Sequence, residues 1–186
     1  IYAISRREWM RVTGQPGASE AWDLLDEQRN PLHRTVLRRV RLPEGAFHVG
    51  VRIVVTDGEG HVLLVHSAKK KHPGVSPWEC PGGAVLSGET SLRAAQRELC
   101  EETGIALDQC ELHYIGGTTV GTCHHDNYLA VKKMPLEAML FQPGETDTAK
   151  WVDFEEFFNM PAGRMPSPPL RRKMCTQSPW REMMGL

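Results

Sequence analysis

GGAVLSGETSLRAAQRELCEETGI, residues 82–105, decides the reading of this chain. From Thr90 to Thr103 it holds good helix formers with no internal glycine or proline. Thr90 is a residue type that caps a helix start, and Gly104 is one that stops a helix in the left-handed conformation. The sequence therefore predicts a helix over 90–103. A helix turns by about 100° per residue, so Glu98, Glu101 and Glu102 share one arc of its surface. Leu92, Ala95 and Leu99 form the adjoining apolar stripe, able to pack on a sheet.

Like charges at i,i+4, as at Glu98 and Glu102, cost a helix a few tenths of a kcal/mol, so folding alone has no use for them. A divalent cation reverses the sign of that effect. Mg2+ and Mn2+ take carboxylate oxygens, keep waters and add substrate phosphates to their shell. Such an ion neutralises phosphate charge and turns a bound water into a hydroxide-like nucleophile. Gly82 and Gly83 leave bare backbone beside this cluster, where a carbonyl or N–H can approach an ion or a phosphate. Arg97 and Glu89 are expected to pair and to hold the loop against the helix start.

These residues resemble the signature of the Nudix hydrolases, GX5EX7REUXEEXGU with U aliphatic. Gly83 is followed by Glu89, then by Arg97-Glu98-Leu99, Glu101-Glu102, Gly104 and Ile105, and no position departs from the pattern. The resemblance implies an α/β fold: an α/β/α sandwich with a mixed β-sheet, the signature forming a loop–helix–loop. It implies hydrolysis of a diphosphate bond in a nucleoside diphosphate linked to another group. Carried over, Glu98 and Glu102 are metal ligands, Glu101 is a ligand or the base, and the Gly83 carbonyl is a further ligand. Arg97 and Glu89 orient the loop, and Gly82 and Gly83 lie at the phosphates. The family often adds an acidic residue downstream, for which Glu145 is the candidate and Asp147 the runner-up. The implied cofactor is Mg2+ or Mn2+, the partner a small phosphorylated substrate, and a homodimer is common in the resembled family.

Outside the signature, WDLLDEQRNPLHR and the run from Phe47 to Gly83 look like the branch that contains isopentenyl-diphosphate isomerase. That enzyme uses a cysteine immediately before the first signature glycine, where this chain has Gly82; Cys80 lies two residues further upstream. Isomerase chemistry and a non-catalytic ligand-binding regulator are the alternatives to hydrolysis. Intact glutamates speak against the regulator.

Along the chain, residues 1–19 read as an N-terminal extension, 20–160 as the Nudix-like domain and 161–186 as a proline-containing tail that wraps the surface, with a short helix near Leu170–Cys175. AWDLLDE reads as a strand followed by a turn. FHVGVRIVVT and HVLLVHS flank DGEG and read as a hairpin. Pro81 and the two glycines are expected to end any strand at WECPGG. ELHYIGGTTVG and NYLAVKKM read as strands and DFEEFF as a short helix. Cys123-His124-His125-Asp126 alternates faces if extended, so these neighbours cannot all grip one ion. Trp22, Trp78 and Trp151 either fill the core or stack on a base.

The whole composition excludes several classes. Of 186 residues, 40% are hydrophobic and 24% charged, with a net charge of −1, which describes a soluble domain and not a nucleic-acid binder. Lys69-Lys70-Lys71-His72 is the longest basic run, and Lys70 is its candidate for attracting phosphate. No segment approaches the roughly 18 apolar residues of a membrane span, and the first residues lack the apolar core of a secretion signal. Five cysteines without CxxC spacing fit a reducing, cytoplasmic setting.

Overall fold

The structure is a computed structural model, and it describes residues 21–68, 76–161 and 165–186. The run around Lys70 and the extension 1–19 lie outside the described residues. The chain forms β1 (Ala21–Leu25), β2 (Pro31–Leu37), β3 (His48–Thr56), β4 (His61–Ser67), β5 (Trp78–Glu79), β6 (Gly82–Ala84), α1 (Ser91–Thr103), β7 (His113–Val120), β8 (Cys123–Val131), β9 (Thr146–Asp153), α2 (Phe154–Asn159), α3 (Pro168–Thr176) and α4 (Trp180–Met183). β1 and β2 make a separate two-stranded hairpin, and β3 to β9 form a seven-stranded sheet. β3 and β8 run parallel while the other neighbours are antiparallel, so the sheet is mixed.

The centre of the sheet departs from the expected hairpin. β3 and β4 pair only at Thr56↔Val62 and then separate. β8 and β9 occupy their outer edges. On the inner edges, β6 pairs with β3 through Gly50↔Ala84 and Arg52↔Gly82, and β5 pairs with β4 at Val65↔Glu79. β5 does end before Pro81, but Gly82 and Gly83 open β6, so WECPGG does not leave the sheet. It fills the gap between two splayed strands, because backbone N–H and C=O groups left open inside a sheet need partners; the Pro81 carbonyl accepts from the Ile53 N–H at 2.8 Å.

Both faces of β3 and β4 are buried, and their side chains alternate between two cores. Val51, Ile53, Val55, Leu63 and Val65 pack with Ala94, Ala95 and Leu99 of α1. Val54, Val62 and Leu64 pack with Phe157 of α2, Leu170 and Met174 of α3, and Met184 just after α4. The result is an α/β/α sandwich. The stretch from 161 onward, expected to wrap the surface, instead covers the second face of the sheet: Met165, Leu170, Met174 and Met184 are all buried. No helix among the described residues is long and apolar enough to cross a membrane.

Candidate active site

Helix α1 begins and ends as its sequence predicts. The Thr90 side chain accepts from the Arg93 N–H, and Gly104 takes the left-handed conformation with its N–H bonded to the Cys100 carbonyl. Burial of Ala95 and Leu99 fixes the rotation of the helix. That rotation turns Glu98, Glu101 and Glu102 toward the gap that β5 and β6 fill. Together with Glu79 and Glu145 they border one cavity of about 130 Å3, closed on the strand side by Gly82 and Gly83.

Arg97 is the only guanidinium buried in this wall of helix α1, and its donors are spent on it. Nε and Nη2 donate to the two Glu89 oxygens at 3.0 and 2.9 Å, a bidentate pair. Nη1 donates to Glu98 at 2.8 Å and to Glu101 at 3.2 Å, and Nη2 also donates to the Ala84 carbonyl at 2.9 Å. Burial alone would lower its pKa, but the Glu89 hydrogen bond and the charges of Glu98 and Glu89 hold it above the ordinary arginine value. One side chain thus ties the loop before the helix, strand β6 and two helix carboxylates together.

Glu102 lies deeper. Its Oε2 accepts from the Gly82 N–H at 3.0 Å. Burial, then the nearby charge of Glu98, push its carboxyl well above the ordinary value; the Gly82 N–H opposes this, and Glu79 and Glu145 add to it. The two glycines are spatial requirements. A Cβ at Gly82 would collide with the Val51 carbonyl oxygen, and one at Gly83 would collide with the Glu98 carboxylate.

Among the described residues no three acidic, thiol or imidazole side chains are gathered into a ready-made ion cage. The donor set nevertheless fits Mg2+ or Mn2+, which are usually bound by one or two carboxylates with waters and substrate phosphates completing the shell. Five carboxylates facing one small cavity, with a helix glutamate lying where a Gly83 side chain would be, are the hard oxygen donors such an ion prefers.

The residues read from the sequence mostly converge. Glu89, Arg97, Glu98 and Glu101 form one hydrogen-bonded group, Glu102 meets Gly82, and Gly83 and Glu145 border the same cavity. Asp147 does not join them. It is largely exposed and lies 3.5 Å from His66. Cys80, the thiol nearest the isomerase position, buries its Sγ against Met165, and burial raises its pKa to about 12. Cys123 to Asp126 form part of β8 and alternate as a strand requires: His124 meets Thr119 and the Asp26 carbonyl, while Cys123 and His125 line a neighbouring cavity. Trp151 joins the core and donates to the Met134 carbonyl, and Trp78 carries Lys150 over its ring at 4.8 Å.

Two residues were missed by the sequence reading. Glu79 borders the acidic cavity although it stands outside the signature; its only trace is a charge within an otherwise apolar short strand. Asp23 of the N-terminal hairpin accepts from the Ser87 hydroxyl at 2.6 Å, the Gly88 N–H at 2.9 Å and the Thr35 hydroxyl at 2.8 Å, gripping the loop that carries Glu89.

Comparison with known proteins agrees with this geometry. The family described as NUDIX domain matches residues 46–173. An uncharacterized Nudix hydrolase of Listeria monocytogenes is 31% identical over 144 residues, which cover 74% of this chain and 82% of that protein. The oxidized purine nucleoside triphosphate hydrolase of Danio rerio is 32% identical over 106 residues, covering 56% of this chain and 65% of that protein. Among solved structures, a Deinococcus radiodurans protein superposes with a TM-score of 0.65 at 19% identity, covering 85% of this chain and all of that one, a likeness of fold.

Proposed function

The chain belongs to the Nudix family and is a Nudix hydrolase, and from that premise we propose that it cleaves a phosphoanhydride bond in a small nucleoside diphosphate-linked substrate, using Mg2+ or Mn2+. The observation that carries this reading is the single cavity bordered by Glu79, Glu98, Glu101, Glu102 and Glu145, whose five carboxylates outnumber the two arginines that also line it, Arg38 and Arg97, and so favour a further cation.

Glu98, Glu102 and the Gly83 carbonyl would hold the ion, with Glu145 and Glu79 bordering the same cavity. When bound, the ion supplies charge neutralisation for the phosphates and acidifies a water. Glu101, with a quarter of its side chain exposed, would be the base that takes the proton of the attacking water. Arg97 spends its donors on carboxylates and so acts by positioning: it fixes Glu98 and Glu101 relative to each other, and with Glu89 it locks the loop. Pre-set geometry of this kind is where most catalytic gain in phosphoryl transfer arises.

Phosphate release, coupled to a phosphatase where needed, tests the reading across nucleoside diphosphates, triphosphates, dinucleotides, nucleotide sugars and isopentenyl diphosphate. Turnover with Mg2+ or Mn2+ that vanishes in EDTA is the expected result. Silence across the panel, with metal bound, would overturn it.

A further inference from the structure

Three hollows adjoin along one side of the molecule. The acidic cavity shares Arg38, Glu79, Gly82 and Gly83 with a second one of about 330 Å3. The second shares Trp22 and His48 with an open groove of about 1080 Å3 that also holds Arg39 and Arg41. A path therefore leads from the carboxylates, past Arg38, to an aromatic pair and on to two further arginines.

The far part of this path is built mainly by residues that precede the matched family segment, which begins at 46. Trp22 stands on β1, and Arg39 and Arg41 follow β2. The Trp22 and His48 rings stack with centroids 4.3 Å apart and planes 11° from parallel. Trp22 Nε1 and His48 Nδ1 are both buried and without a hydrogen-bond partner among the described residues. These two nitrogens are closed to solvent, so what the pair offers the groove is ring surface. Arg39 holds a φ of 76°, a left-handed conformation uncommon for arginine and a form of strain that clusters at ligand sites. Arg39 and Arg41 line the groove beside Glu44, and among the described residues neither arginine forms an ion pair with it or with another carboxylate.

We propose that this groove binds the organic half of the substrate and selects diphosphates whose organic half carries a flat ring and a second anionic group, the ring against the Trp22–His48 pair and the anion at Arg39 and Arg41. The matching chemical class is a nucleotide with an additional phosphate on its sugar. The inference rests on the diphosphatase reading for the position of the scissile bond, but its test does not need turnover.

The test titrates adenosine 3′,5′-bisphosphate and adenosine 5′-monophosphate into the full chain with Mg2+ present, followed by calorimetry. The bisphosphate is expected to bind about tenfold more tightly, a difference of one well-placed charge contact. The double variant Arg39→Ser, Arg41→Ser, two surface changes, is expected to bind both probes alike. Trp22→Leu is expected to weaken both without removing the preference. Equal binding of the two probes to the unmodified protein, no binding of either, or a preference that survives the double arginine variant would overturn the proposal. A hydrolysis panel on the same samples separates the two claims. Turnover without the preference sinks the groove and spares the diphosphatase; the preference without turnover does the reverse.

Discussion

Asp23 accepts a hydrogen bond from the Ser87 hydroxyl at 2.6 Å, across 64 residues of chain. The same carboxylate accepts from the Gly88 N–H, and the Ala21 carbonyl accepts from the Ser87 N–H at 2.8 Å. Glu89 follows immediately and is clamped by Arg97. The N-terminal hairpin is thereby coupled to the helix that carries the carboxylates. Asp23→Ala is expected to lower turnover about tenfold, the range of a displaced supporting contact, while leaving substrate KM nearly unchanged. Steady-state kinetics decide it; an altered KM with an unaltered kcat would contradict the coupling.

The same contact sets a pH dependence. Hydrogen bonds from Ser87 and Gly88, with a smaller one from Thr35, hold the Asp23 carboxyl below the ordinary aspartate range, against the opposing effect of burial. A carboxyl lowered in the folded state contributes stability that is complete above the unfolded value and is lost as pH falls through the folded one. The hairpin is therefore expected to loosen in acid, below about pH 4. Hydrogen exchange of the residue 21–37 amides across that range measures it, and Asp23→Asn is expected to lessen the acid transition, with Asp26, lowered by its hydrogen bonds from Asn30, keeping the remainder.

Gly82 and Gly83 are expected to fail differently on substitution. At Gly82 a Cβ meets the Val51 carbonyl oxygen, which is backbone inside the sheet. At Gly83 it meets the end of the Glu98 side chain, which can move. Gly82→Ala should therefore lower the melting temperature sharply. Gly83→Ala should fold, yet bind Mg2+ more weakly and turn over more slowly because Glu98 is displaced. Thermal melts with and without Mg2+ distinguish the two.

Arg97→Lys keeps the charge but cannot reproduce a bidentate pair to Glu89 together with bonds to Glu98, Glu101 and the Ala84 carbonyl. Removing the charge in Arg97→Ala leaves three part-buried carboxylates uncompensated and is expected to cost about 3 kcal/mol of stability. The lysine variant should recover part of that stability and little of the turnover. Equal turnover in Arg97→Lys and the unmodified protein would show that charge alone suffices.

Helix α1 and most of its charged face were legible because their determinants are local: a cap, a stop, and a spacing that gathers three glutamates on one arc. The partners across the cavity were less so. Glu79 reaches the carboxylates only because β3 and β4 separate after Thr56↔Val62 and leave a gap for Trp78 to Ala84, and no local pattern announces that separation. Glu145 was named from a resemblance and does border the cavity, whereas Asp147 lies within β9, beyond the register shift at His66/Ser67, and meets His66. The chain after 161 misled for a different reason. Its prolines suggested irregular wrapping, and its buried residues Met165, Leu170, Met174 and Met184 are too sparse to show a period.

The central claim is that the acidic cavity performs metal-dependent hydrolysis, and Glu102→Gln tests it most directly. Glutamine keeps the size of the side chain and an acceptor for the Gly82 N–H, and it removes one charge from a crowded group. Turnover with Mg2+ on the best substrate of the panel is expected to fall by about 10^2- to 10^4-fold, the range for loss of one essential catalytic group, with the melting temperature of the metal-free protein unchanged or raised. Retained turnover in Glu102→Gln, or turnover in the unmodified protein that persists in EDTA, would contradict the account.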